Sequence, residues 1–300
     1  MSRPPEETHP WTARPEFRLP LPSGGALDMT ARPLVMGILN VTPDSFSDGG
    51  RFFETTSAAR HGREMCAAGA DIIDVGGEST RPGSEPVDAE EEKHRVIPVI
   101  EELAHEVDVP ISIDTQKSEV AEAALDAGAQ IVNDVSALRT DPDLAALVAE
   151  RNVPLILMHM QGRPRNMQRN PAYGEVVGDI CDWLKERIEY AVEQGIDREA
   201  LVADPGFGFG KTLQHNLELL RRLREFQRLG RPVLVGTSRK SMLGMILDRP
   251  EDERLHGTLA TVAAAVLAGC HIVRVHDVEP ALDVVKVCEA VRRGINFRNG

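Results

Sequence analysis

Charged residues follow several short apolar runs in this sequence, and four of them are cations that could act together. They are Arg81, Lys240, Arg274 and His276. Cationic groups contributed from distant parts of a chain suit a diphosphate or a similar anion, because they donate charged hydrogen bonds to its oxygens. If the fold brings these residues together, the sequence predicts an anion site.

A second group of residues offers hydrogen-bond acceptors and an amide. It comprises Asp114, Asn133 and Asp204. These side chains suit a flat heterocycle with a donor-rich edge, since one carboxylate can accept two parallel N–H groups. Asp204 is the main candidate partner, although it could instead cap the chain before Pro205.

Several familiar catalytic patterns are not matched. "GFGFGKT" ends like a phosphate-binding P-loop, but that motif requires glycine where this chain has Pro205. "LMHMQG" is not an HExxH zinc helix, and a single His159 in an apolar strand is better explained as structural. No Ser–His–Asp or Cys–His pattern predicts a covalent nucleophile, and the scattered carboxylates argue against two-metal chemistry.

The elements that would position these groups alternate regularly from residue 34. Eight apolar, β-branched runs are separated by longer helical stretches; the runs lie at 34–40, 71–77, 110–115, 130–135, 154–160, 201–206, 232–238 and 271–277. Continuous apolar runs are typical of parallel strands buried on both faces. The pattern predicts an α/β fold, a (β/α)₈ TIM barrel forming a single catalytic domain over residues 34–300. A doubly wound open sheet is the alternative.

Residues 1–33 lie outside this alternation. "FRLPLPSGGALDMT" predicts two short strands around a Ser-Gly-Gly turn, an N-terminal β-hairpin that closes the bottom of the barrel. We expect the first dozen residues to be disordered. Among the helices, "SEVAEAALDAGA" ends in a C-terminal glycine, and Ser118 is the expected N-cap.

In a βα barrel, chemistry takes place at the C-terminal ends of the strands. Any single polar residue there could be a helix cap or a solvated loop residue. Here, however, nearly every predicted strand ends in a carboxylate, an amide or a cation. This convergence favours a functional site at that end of the barrel.

Composition limits the possible partners and the compartment. The chain has 300 residues, of which 42% are hydrophobic, enough for a large core, and its formal net charge of −13 disfavours nucleic acid as a partner. No apolar stretch approaches the length that crosses a membrane, and nothing at the N-terminus predicts export, so we expect a cytoplasmic protein. The four cysteines are expected to be reduced, buried helix residues.

Eight motifs in order resemble the dihydropteroate synthase family of folate biosynthesis. They are "MGILNVTPDSFSDGG", "GGESTRPG", "SIDT", "IVNDVSA", "LMHMQG", "DPGFGFGK", "GTSRKS" and "RVHDV". The resemblance implies a (β/α)₈ barrel and a homodimer. It also implies a transferase that joins (7,8-dihydropterin-6-yl)methyl diphosphate to 4-aminobenzoate with Mg²⁺, releasing diphosphate.

The resemblance further implies roles for individual residues. Asn40 would be the Mg²⁺ ligand. The pterin would be held by Asp114, Asn133, Asp204 and Lys240. The diphosphate would be bound by Thr80, Arg274 and His276. The aminobenzoate would be bordered by Arg81, Pro82 and Ser241, with Phe46 and Phe207 as further substrate contacts. Lys240, Arg274, His276 and Arg81 would be the catalytic group.

The polar stretch "NVTPDSFSDGG" is longer than a plain connector needs. We expect it to be a lid that brings Phe46 over the aminobenzoate and excludes water. Two alternative functions share the pterin-facing residues: a pterin-binding methyltransferase, and a paralogue that binds pterin without turnover. The first would have little use for the cations of "SRKS" and "RVHDV".

Overall fold

Eight parallel strands form the central sheet in the computed structural model, which describes residues 13–42, 51–79 and 83–294. Their bounds are β3 Leu34–Asn40, β4 Ile72–Gly76, β5 Ile111–Asp114, β6 Ile131–Asp134, β7 Leu155–Met158, β8 Leu201–Asp204, β9 Leu234–Val235 and β10 Ile272–Val275. All eight predicted runs contain a strand. Their residues are almost all buried, as expected for a parallel sheet covered on both faces.

The sheet closes on itself. The first strand pairs with the last in parallel register, Leu34 opposite Ile272, and an isolated bridge between Ala203 and Val233 joins β8 to the segment that leads into β9. This closure confirms the predicted barrel and rules out the open-sheet alternative. It also brings the C-terminal ends of all eight strands to one rim.

Helices cover the outside of the barrel. Their bounds are α1 Arg51–Ala67, α2 Ala89–Glu106, α3 Ser118–Asp126, α4 Asp143–Arg151, α5 Val176–Glu193, α6 Leu213–Arg221, α7 Ser241–Leu247, α8 Leu255–Leu267 and α9 Val278–Arg293. The predicted N-cap at Ser118 is wrong. This residue is the first of α3, and its backbone N–H and hydroxyl both bond to Asp141, each at 2.7 Å, so the loop after β6 caps the helix instead.

The N-terminal segment forms the predicted antiparallel hairpin, β1 Arg18–Pro20 and β2 Ala26–Asp28. Leu19 and Met29 are buried in one cluster with strand residues from the lower barrel interior, such as Leu34 and Ile272. The hairpin therefore closes the barrel at the end opposite the polar rim. The division of the chain at residue 33 stays a prediction.

All four cysteines have free thiols. Cys181 and Cys288 are buried helix residues, as predicted, but Cys66 is only partly buried and Cys270 lies between α8 and β10. Burial raises the pKa of the Cys270 thiol to about 12, which keeps it protonated. Within the described ranges, no helix is long and apolar enough to cross a membrane.

Candidate active site

The C-terminal ends of the strands open into a cavity of about 960 Å³. The polar residues on its wall include Asn40, Asp114, Ser238, Lys240, Ser241, Arg274 and His276. They come from β3, β5, β10 and the segment after β9. The fold therefore brings the predicted anion-binding and heterocycle-binding groups to one place.

Arg274 lies at the centre of a buried ionic network. Its Nε donates to Asp74 Oδ2 at 2.6 Å, and its Nη2 donates to Asp114 Oδ2 at 2.7 Å. Asn133 Nδ2 also donates to Asp74 Oδ2, at 3.1 Å. One guanidinium therefore connects two carboxylates on neighbouring strands, and the network links the anion-binding side of the cavity to the acceptors at its floor.

Two groups on the cavity wall have strongly shifted pKa values. Burial raises the pKa of Asp114 to about 7, against the opposing effect of Arg274. Burial lowers the pKa of Lys240 to about 7, opposed by the charge of Asp204. Both groups can therefore change protonation state near neutral pH, as residues at functional sites often do.

The ammonium of Lys240 lies 3.9 Å from the centre of the Phe209 ring. This cation–π contact is close enough to hold the amine at the wall of the cavity. The chain can approach closely here because residue 208 is glycine. It has a φ of +81°, and a Cβ there would lie 3.0 Å from Lys240 Cδ. The backbone of 206–210 thus fits around the lysine.

Asp204 ends β8 and is buried with 6% of its surface exposed. Its Oδ1 accepts the backbone N–H of Gly206 at 2.7 Å, which fixes the carboxylate against the turn that follows. Burial raises the pKa of Asp204, while this hydrogen bond and the charge of Lys240 oppose the rise. Asp204 can therefore cap the turn that begins at Pro205 and also serve as a site residue.

Lys211 holds the same turn from beneath. It is completely buried, and its Nζ lies 3.0 Å from His159 Nδ1, 2.8 Å from the Gly206 carbonyl oxygen and 3.0 Å from that of Phe209. His159 also packs edge-on against Trp183, at 4.8 Å between ring centres, and burial lowers its pKa to about 2. His159 is therefore a neutral structural residue, as predicted.

On the other side of the cavity, Ser238 Oγ lies 2.9 Å from His276 Nδ1 and accepts the His276 backbone N–H at 3.2 Å. Arg239, in a left-handed conformation at φ +56°, makes two hydrogen bonds to Asp277, of 2.7 and 3.2 Å. Arg239 is thus committed to an internal ion pair. Arg239, Lys240 and His276 all line the cavity from these two loops, with Arg239 held in its ion pair.

The comparisons with known proteins agree with this geometry. A sequence profile of the pterin binding enzymes matches residues 36–276, which is most of the chain. The chain belongs to this family. Among its pterin-binding relatives, the dihydropteroate synthase of Synechocystis is 48% identical over 92% of this chain and 96% of its own, and that of Escherichia coli is 49% identical over 89% and 94%. The resemblance seen in the motifs is confirmed.

Solved structures of pterin-binding relatives support the same family and show the same fold. Yersinia pestis dihydropteroate synthase, solved with a sulfonamide drug complex, has 45% identity and a TM-score of 0.87, covering 92% of this chain and all of its own. The Xanthomonas albilineans enzyme with 4-aminobenzoic acid has 44% identity and a TM-score of 0.87, covering 94% of this chain and all of its own. The TIM-barrel fold class is therefore confirmed.

Four predicted site residues, Phe46, Thr80, Arg81 and Pro82, lie outside the described residues, as do residues 43–50 of the stretch predicted to be a lid. The segment that leads to 80–82 is anchored, since Lys117 Nζ bonds to Glu78 at 2.6 Å and also to buried Glu92.

Of the predicted pterin-binding residues, Asp114 and Lys240 line the cavity. Asn133 in β6 and Asp204 at the end of β8 are buried, with 4% and 6% of their surfaces exposed, and β7 lies between these two strands. Phe207 is not at the cavity. It is buried in the core between sheet and helices. Phe209 takes the place at the wall, because the chain turns between the two residues at Gly208, which has a positive φ.

Two residues that no prediction included are structurally central to this site. Asp74 lies in the middle of β4, inside an apolar run, and Lys211 lies in the motif that was set aside as a failed P-loop. A charged residue inside an otherwise apolar strand is itself a signal, because such a residue is almost never buried without a partner.

Proposed function

We propose that this protein condenses (7,8-dihydropterin-6-yl)methyl diphosphate with 4-aminobenzoate, giving 7,8-dihydropteroate and diphosphate. The relatives named dihydropteroate synthase support this reaction, which makes the protein a transferase of folate synthesis. The observation that carries the proposal is the single cavity in which Arg274 is paired with the acceptor Asp114. This pairing supports the proposal, because a cation suited to an anion lies beside a carboxylate suited to a heterocycle.

The pterin ring would lie at the floor of the cavity. Asp114, Asn133 and Asp204 would accept hydrogen bonds from its N–H groups, and Lys240 would donate to its carbonyl side. The support is that these acceptors are buried, where a hydrogen bond to a charged group is worth about 1.5–3 kcal/mol. The same burial disfavours ligands that leave the carboxylates unpaired.

The diphosphate would be held by Arg274 and His276, with Thr80 as a further contact implied by the resemblance. In the reaction the CH₂–O bond breaks, and its electron pair leaves with the diphosphate while positive charge spreads into the electron-rich dihydropterin. Cations next to the departing oxygens stabilise the charge that develops in the transition state. Arg274, in β10, and His276, directly after it, both line the cavity and are suited to this task.

The amine of 4-aminobenzoate would attack the same carbon and form the C–N bond, after which its proton is lost to water or diphosphate. The amine proton becomes acidic only as that bond forms, so no strong general base is required. We place the aminobenzoate near Ser241, with Arg81 and Pro82 assigned by the resemblance. Holding the amine in line with the breaking bond supplies most of the remaining catalysis.

Mg²⁺ fits the donor set proposed for it. Asn40 ends β3 at the cavity wall and offers an amide oxygen, and Mg²⁺ commonly takes few protein ligands together with the phosphates of a substrate. The described residues contain no cluster of three or more His, Cys, Asp or Glu that could hold a metal alone. When bound, the ion would neutralise charge on the diphosphate.

We further propose that the protein is a cytoplasmic homodimer. Helix α8 is apolar on every side, which is unusual for a helix on the outside of a barrel. Ala260 and Ala264 are exposed on it, and the adjacent α9 exposes Val287 and Val291, with 63% and 50% of their surfaces accessible. An exposed apolar face of this kind is typical of a protein–protein interface.

The dimer is tested by changing one residue on that face. Val287→Asp should dissociate the protein in analytical ultracentrifugation, since it buries a charge in the interface. Leu217→Asp, at an exposed apolar residue of α6, is the matched control and should remain a dimer. If both variants keep the mass of the wild type, this face is not the interface.

The reaction is tested by measuring diphosphate release from the pterin substrate with and without 4-aminobenzoate. We expect release that depends on aminobenzoate and yields dihydropteroate. Asp204→Asn should weaken the binding of a pterin analogue about 10- to 100-fold, the effect of losing one charged hydrogen bond. Pterin binding without any release would instead favour a protein that binds pterin and does not turn it over.

A further inference from the structure

Asp74 is a fully buried carboxylate that the proposed reaction does not use directly. Its Oδ2 accepts hydrogen bonds from Arg274 Nε and Asn133 Nδ2, whereas its Oδ1 has no partner among the described atoms. A buried carboxylate oxygen without a hydrogen bond costs stability. Arg274 is also paired with Asp114, so charge balance and packing alone do not account for a carboxylate at this position.

Asp74 determines which atoms its two neighbours present to the cavity. A carboxylate can only accept hydrogen bonds, so the group of Asn133 that faces it must be the NH₂ and not the oxygen. The amide oxygen of Asn133 is therefore directed to other partners and can act as an acceptor. Similarly, Arg274 is fixed through Nε, which turns the outer edge of the guanidinium towards Asp114 and the cavity.

We propose that Asp74 is a positioning residue that orients Asn133 towards the pterin and Arg274 towards the diphosphate. One carboxylate thereby connects recognition of the ring to stabilisation of the leaving group. The inference rests on the proposed function, because it assigns the two ligands to the two ends of this network. It also explains why a carboxylate lies inside an apolar strand, behind Arg274, without itself lining the cavity.

The test is Asp74→Asn, which preserves the size of the side chain. An amide at residue 74 can present a donor to Asn133 or Arg274, so both lose their fixed orientation. We expect kcat/KM for the pterin diphosphate to fall about 10- to 100-fold, with most of the loss in kcat. The melting temperature should change little, because Arg274 stays paired with Asp114 after the charge of Asp74 is removed.

A double-mutant cycle separates positioning from a general structural effect. In an Arg274→Ala background, Asp74→Asn should change kcat by less than about threefold, because Arg274, through which it serves the leaving group, is gone; its effect through Asn133 should remain in the binding of the ring. An equal loss in both backgrounds, together with a lower melting temperature, would overturn the proposal and make Asp74 a structural residue.

Asp71→Asn provides the matched control from the other end of the same segment. Asp71 bonds to Arg32, at 2.7 and 2.8 Å, and to the backbone N–H of Val35 at 2.8 Å, below the barrel. We expect this variant to lose thermal stability while kcat/KM stays within about threefold of the wild type.

The activity of the wild type shows whether the proposed function or the positioning role of Asp74 has failed. If it shows no release of diphosphate that depends on aminobenzoate, the proposed function fails first. Calorimetric titration of Asp74→Asn with a pterin analogue then tests the positioning role by itself. The affinity for the ring should still fall, because the Asn133 amide is no longer held in one orientation. Unchanged affinity in Asp74→Asn would overturn the positioning role whatever the reaction.

Discussion

Binding of the pterin ring should release protons from the protein below pH 7 and take up protons above pH 7. In the proposed binding mode the ring needs Asp114 as a carboxylate and Lys240 as an ammonium, and burial brings the pKa of each to about 7 in the unliganded site. Below pH 7, Asp114 must lose a proton before it can accept hydrogen bonds. Above pH 7, Lys240 must gain one before it can donate fully.

The magnitude follows from the two pKa values. One pH unit below its pKa, a group is about 90% protonated, so binding at about pH 6 should release roughly 0.9 proton from Asp114. Binding at about pH 8 should take up roughly 0.9 proton at Lys240. Near pH 7 the two effects cancel, and affinity should be highest there, falling towards tenfold per pH unit on either side.

Calorimetric titration of a pterin without diphosphate, in two buffers of different ionisation enthalpy, measures this exchange directly. Asp114→Asn should abolish the proton release at low pH and leave the uptake, and Lys240→Met should do the reverse. An exchange close to zero from about pH 6 to pH 8 would refute the reasoning, because neither group could then titrate in the unliganded site.

Three further predictions concern stability, the leaving group and inhibition. Lys211→Met should lower the melting temperature by about 4–8 °C in calorimetry, because buried acceptors in the 206–210 turn lose their donor at a cost of about 2 kcal/mol. The exposed control Lys286→Met should change the melting temperature by less than about 1 °C. Equal shifts in the two variants would contradict the buried role of Lys211. Arg274→Ala should lower kcat in steady-state kinetics far more than it lowers affinity for a pterin without diphosphate, since its charge serves the leaving group; equal losses would make Arg274 structural. Sulfonamides should compete with 4-aminobenzoate in the same assay, as the sulfonamide complex of the Yersinia pestis relative suggests. Inhibition that excess aminobenzoate cannot relieve would exclude a shared site.

The barrel could be predicted from sequence because each strand is a separate apolar run that must be buried on both faces. The bounds agree closely for β3, predicted and found at 34–40. They agree least for β9, predicted over 232–238 but only Leu234–Val235 in length. Here the chain turns at Gly236 towards the cavity, and apolarity alone does not reveal where the backbone leaves the sheet.

The rim residues could be found because a polar side chain at a strand end is visible in the sequence. Asp74 lies within its strand instead of at the end. Its charge in an apolar run is a signal, but the sequence does not show that its partners are Arg274 and Asn133 across the barrel. The choice between Phe207 and Phe209 was equally inaccessible. It depends on a turn with positive φ at Gly206 and Gly208, whose direction the sequence does not determine.

The pairing of β3 with β10 has a consequence for synthesis of the chain. Leu34 leaves the ribosome early, yet its strand partner Ile272 is made only near the end, so one edge of β3 stays open during most of translation. Leu19 of the hairpin packs in one cluster with Ile272, so this cluster is also completed only near the end of synthesis. We expect nascent chains that stop before about residue 275 to expose an aggregation-prone strand edge and to depend on chaperones until the barrel closes.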